Sequence, residues 1–148
     1  MKLARWATLS LFAMGLSSAC SRKETSMEDL FARPDHPLRS PTSSQTIQIQ
    51  QEEQTSGSFW KVRVLDSSGN VVAEPTERFA VRHRTLVTWG DGGRFWVYSG
   101  DLGLFYGEPG VKGSLLTAWL ATAPDAGQPT PPEHLKSRLP QLFQRSGH

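Results

Sequence analysis

The sequence predicts a mainly β protein: a small antiparallel sheet or partly open barrel of about six strands, with one or two short C-terminal helices. Three observations carry this. Residues 46–50 and 58–65 alternate apolar and polar side chains, the period of a half-buried strand. Clusters of glycine, asparagine and aspartate separate such runs at short intervals. Residues 85–106 fall into three brief runs rich in tryptophan, phenylalanine and tyrosine, which suit a pleated surface.

The chain opens with Lys2 and Arg5, followed by an uncharged stretch over residues 6–16. At ~1.5 Å per residue this stretch is far too short to cross a ~30 Å hydrocarbon core. Its length and flanks suit a removable secretory leader over residues 1–19. Leu16, Ser17, Ser18 and Ala19 then lead into Cys20, the sole cysteine. This segment resembles the lipobox of bacterial lipoproteins, with Ser17 where leucine is commonest. The resemblance implies cleavage between Ala19 and Cys20, a diacylglycerol on the Cys20 sulfur, and a further acyl chain such as palmitate on the new amino terminus. Ser21, where an aspartate would favour retention at the inner membrane, implies the outer membrane, facing the periplasm. Each buried methylene contributes ~0.8 kcal/mol, so two or three chains hold a protein on a bilayer where one does so only marginally.

Composition narrows the rest. Removing the leader takes Lys2 and Arg5, and the 16 basic and 14 acidic residues become 14 of each. A mature chain without net charge has no electrostatic footprint for nucleic acid. It is long enough for one small domain, which must be held by its core because no second cysteine exists. Residues 20–44 read as the lipidated cysteine and a flexible tether. Serine, threonine and charge dominate there, and Pro34, Pro37 and Pro41 oppose regular structure. About 24 such residues would span ~25–30 Å.

Residues 45–148 form the domain. In 58–65, Trp60, Val62 and Val64 share one face, with Lys61 and Arg63 on the other. Residues 66–70 are turn chemistry, and Val71, Val72 and Ala73 start the return strand of a hairpin over 58–73, which Pro75 breaks or marks as an edge. Phe79, Ala80 and Val81 add a further strand. Residues 85–89, 94–98 and 104–106 make a meander over 85–106, turning at Gly90-Asp91-Gly92-Gly93 and again at Ser99-Gly100-Asp101. Residues 113–120 fit a short helix or a last strand, and the leucines and alanine favour helix modestly. A helix begins near Pro131 or Pro132 and ends or kinks at Pro140.

Candidate contact residues follow from the faces. Arg94, Trp96 and Tyr98 share one face of their strand, and Phe95 and Val97 the other. One face lines the core. The other either packs under a further segment, with Leu116 or Trp119 as partners, or forms a binding face, since aromatics and arginine anchor interfaces. Arg82, His83 and Arg84 form a basic edge that could grip a carboxylate or phosphate, or simply guard a strand edge. Asp91 and Asp101 lie in successive turns, at opposite ends of a strand, too far apart for the ~5–9.5 Å of a glycosidase pair. No histidine has a partner at metal-ligand spacing, and neither a nucleophile motif nor a cofactor fingerprint is present. The expectation is a non-catalytic, lipid-anchored protein of the bacterial envelope that binds another envelope protein, without cofactor or metal. A glycan-acting hydrolase and a small-ligand carrier are the alternatives.

Overall fold

The computed structural model describes residues 25–109, 116–120 and 127–143. Two antiparallel sheets face one another. The first holds β1 (Leu38–Arg39), β2 (Thr46–Gln54), β3 (Gly57–Leu65), β4 (Val71–Ala73) and β5 (Phe79–Ala80). Its order is β1-β2-β3-β4, and β5 also lies on β3, pairing Phe79 with Trp60 and Ala80 with Phe59. Pro75, fully buried, separates β4 from β5, the return strand and the further strand that the sequence predicts. The second sheet runs in chain order: β6 (Thr85–Trp89), β7 (Phe95–Ser99), β8 (Gly103–Gly107) and β9 (Thr117–Trp119). Two short helices follow, α1 (Glu133–Arg138) and α2 (Pro140–Phe143).

The mainly β expectation holds, with nine strands among the described residues rather than about six, and no closed barrel. The additional strands are short. β1 has two residues, too few for an alternation to register, and β9 occupies part of the stretch read as a short helix or a last strand. Residues 117–119 pair with Leu104, Phe105 and Tyr106, so sheet completion outweighs a weak helix propensity there.

The period of two places the core. Ile47 and Ile49 of β2 oppose Val64 and Val62 of β3, and all four point between the sheets, with Phe79 and Ala73 beside them. Val87, Trp89, Phe95 and Val97 meet them from the second sheet. Lys61 and Arg63 point outward, as their alternation predicts, and close on Glu74, each at 2.7 Å. At the β6–β7 turn Gly92 and Gly93 take φ of 68° and 75°, the left-handed region where glycine carries no Cβ penalty.

The second sheet is buried on both faces. Leu86, Trp96, Tyr98, Leu104, Tyr106 and Trp119 line its outer side, under Leu135 and Leu139 of α1–α2 and under Leu30 and Phe31. This corrects the tether reading for residues 25–44. Ser26 caps a 3-10 turn over Met27–Leu30, Phe31 and Ala32 are buried, and Leu38 pairs with Ile47. The strap passes from the outer face of the second sheet, around β6, to the edge of the first. The Ala32 N–H donates to the Val87 carbonyl at 2.8 Å along the way. Prolines 34 and 37 exclude helix and sheet interior, but they suit the tight turn that bridges Arg33 and His36. Burying Phe31 alone contributes ~1.5–3 kcal/mol.

Candidate functional site at the turn end of the sheets

The six contact residues expected from the sequence separate in space. Trp96 is 1% exposed and belongs to the outer-face core, so the exposed-anchor reading of this residue is corrected. Phe31, Leu135 and Leu139 cover it. Tyr98 is half-buried in the same cluster. Arg94 lies at the β6–β7 end, where its Nε donates to Glu108 at 2.8 Å. Arg82, His83 and Arg84 lie at the other end, in the β5–β6 turn. Cys20 and Ala19 fall outside the described residues.

At that second end three turns converge. The Val81 N–H donates to the Ser58 carbonyl at 3.0 Å, joining the β5–β6 turn to the β2–β3 tip. The Gly100 N–H donates to the Arg84 carbonyl at 3.0 Å, joining it to the β7–β8 turn. Between tip and turn lies a hollow of about 340 Å³, lined by Ser56, Gly57, Ser58, Phe59, Ala80, Val81 and Arg82. Arg82 is exposed, and its Nε donates to His83 Nε2 at 3.2 Å. Among the described residues no acceptor meets its two terminal amino groups. Arg84 Nη1 donates to the Arg138 carbonyl at 3.3 Å, fixing α1 to this end.

Asp101 completes the cluster. The Ser99 hydroxyl donates to it and is the main reason its carboxyl lies below the usual carboxylate range. Positive charge on His83 and Arg82 acts in the same direction, and partial burial opposes it. Asp101 Oδ2 stands 3.8 Å from His83 Nε2. A serine, a histidine and an aspartate therefore meet, but not in the order of a nucleophile relay. Ser99 is fully buried, and its proton goes to the carboxylate rather than to an imidazole. The exposed Arg82 stands at the rim of the hollow, and Asp101 links Ser99 to His83 in the neighbouring turns.

Asp91 sits in the β6–β7 turn, at the opposite end of β7 from Asp101. A five-residue strand separates them by roughly 17 Å. Near Asp91 a second hollow of about 350 Å³ reaches His134, whose Nε2 is engaged at 2.7 Å by Thr88 Oγ1. Among the described residues no group of three or more His, Cys, Asp or Glu side chains could hold a metal ion, and no helix is long and apolar enough to cross a membrane.

The sequence singled out the basic turn but not its neighbours. Ser56–Phe59 and Asp101 come to it only through the register of β5 on β3 and of β6 on β7, which no local pattern encodes. Together these features describe a two-sheet β domain with a basic turn at one end. Comparison of the chain with protein families, with curated proteins and with solved structures found no match.

Proposed function

We propose that this chain is a lipid-anchored protein of the bacterial envelope that binds another protein, without catalysis, through the turn end carrying Arg82. The supporting observation is a hollow between the β2–β3 tip and the β5–β6 turn, with an exposed arginine at its rim whose two terminal amino groups meet no acceptor among the described residues. Guanidinium forks match carboxylates bidentately, so the complementary partner carries an acidic segment. The anchoring half rests on the resemblance of residues 16–20 to a lipobox.

A photo-crosslinker placed at residue 82 in native envelopes is expected to trap a partner that one placed at residue 94, at the other end, does not. Arg82→Glu is expected to weaken capture at least about tenfold, equivalent to ~1.4 kcal/mol, with an unchanged thermal midpoint. Equal trapping from both ends, or capture indifferent to the charge reversal, overturns the site. For the anchor, Cys20→Ser is expected to move the protein from the membrane pellet to the soluble extract.

A further inference from the structure

The hollow of about 350 Å³ beside the β6–β7 turn is lined by two side chains that hold acceptors without donors, His134 and Asp91. The state of the imidazole follows from the bonds beneath it. The Thr88 hydroxyl has one proton, and the Leu30 carbonyl, which can only accept, takes it at 2.5 Å. The contact of 2.7 Å between Thr88 Oγ1 and His134 Nε2 then requires the ring proton to sit on Nε2. A neutral imidazole protonated at Nε2 carries its lone pair on Nδ1. That atom has no partner among the described residues and is not sealed from solvent. Burial favours the neutral ring and so keeps the lone pair available near neutral pH.

The Asp91 carboxylate is exposed at the lip of the hollow, without a hydrogen bond or ion pair among the described residues, and its charge acts on the imidazole. The other charges nearby are matched. Glu133 holds Lys136 at 2.6 Å, Glu108 holds Arg94 at 2.8 Å, and Glu28 holds Arg138. Asp91 therefore leaves this end with unmatched negative charge. Pro41, Trp89 and Pro132 supply apolar wall beside the two acceptors.

We propose that this hollow binds a primary ammonium group carried on an aliphatic stem. An alkylammonium has three donors and no acceptor, the complement of a carboxylate and an imidazole lone pair. Its methylenes lie along the prolines and Trp89, as the stems of long cationic side chains lie along apolar surface. A quaternary ammonium lacks the donors, and an anion meets the charge of Asp91. The same group occurs on a free alkylamine and on a lysine side chain of another protein. The hollow lies at the opposite end of β7 from the Arg82 turn and stands independently of the partner assigned there.

The test uses the full chain, labelled with nitrogen-15, in maltoside micelles near neutral pH. Butylammonium chloride is expected to shift the His134 Nδ1 resonance and the Asp91 and Gly92 amides saturably, and tetramethylammonium chloride at equal ionic strength is expected not to. Asp91→Asn should weaken binding at least about tenfold with an unchanged thermal midpoint. Acidification below the folded value of His134 puts a proton on Nδ1 and should weaken binding by about tenfold per pH unit, with the amide spectrum showing the domain still folded. A carboxylate acting alone would hold its affinity down to about pH 5. A blocked lysine that binds tenfold tighter than butylammonium assigns the hollow to a protein lysine, and equal affinity assigns it to free amines. An equal response to tetramethylammonium, or an affinity indifferent to Asp91→Asn or to protonation of the imidazole, overturns the proposal and leaves the Arg82 site untouched.

Discussion

Trp96 shows how one residue's role depends on distant chain. Its alternation with Phe95 and Val97 is legible in the sequence, and so is the apolar character of both faces of its strand. What covers it is not, because the cover is Phe31 from one end of the chain and Leu135 and Leu139 from the other. Trp96→Ala is expected to lower the unfolding free energy by about 3–5 kcal/mol in urea titration, the range for large aromatic deletions in cores. Trp96→Phe should cost less than half as much. The buried indole N–H has no acceptor among the described residues, a condition that itself costs ~1–3 kcal/mol, and phenylalanine removes it. Equal losses in the two variants would mean that the indole N–H carries no such penalty. Gly90 enforces the same packing, since a Cβ there would stand 2.4 Å from the Trp96 Nε1.

His134 is the second residue whose surroundings decide its behaviour. Its Nε2 meets Thr88 Oγ1, whose own proton goes to the Leu30 carbonyl, and its ring meets Phe31 edge-on at 5.5 Å. Burial lowers its proton affinity below the ordinary 6.5, and the charge of Asp91 only partly opposes this. The unfolded chain therefore takes up the proton first as pH falls. Stability is complete above the unfolded value near 6.5 and declines as pH descends from there through the lower folded value. Urea midpoints measured from pH 8 down to pH 5 should fall in the parent and fall less in His134→Gln. Parallel curves would show that this ring does not titrate with unfolding.

At the scale of elements the strap is the main departure from the sequence reading. Pro34, Pro37 and Pro41 were legible as opposition to regular structure, and among residues 31–40 the structure contains only a bridge and a two-residue strand. Opposition to regular structure is not opposition to docking. Leu30, Phe31 and Ala32 are the signal that could have revealed it: three adjacent apolar residues in an otherwise polar stretch. Phe31→Ala is expected to release the strap, with about 3 kcal/mol of lost stability and faster proteolysis within residues 26–40. Unchanged proteolysis would mean that the other fastenings, among them Glu28–Arg138, hold without it. The hairpins were easier to read than the strap. The Lys61/Arg63 alternation and the Gly92-Gly93 turn are local, whereas the pairing of β5 with β3 is not.

At the scale of the whole molecule the two sheets share one core, and strap and helices make a second. The first core was accessible to sequence reasoning because each strand displays its own buried face. The second needed knowledge of which segments return, and segments that return carry no mark of their destination. The same limit applied at the turn end, where Arg82 was visible and the hollow beside it was not. The second core also has a consequence for the order of assembly. It brings together Leu30 and Phe31 with the helical residues 133–143. Until residues 133–143 have emerged, Trp96, Tyr106 and Leu104 lack their cover, and such long-range closure is slow. A partly made chain is consequently loose on one side, the condition in which a polypeptide can still be threaded through a narrow pore.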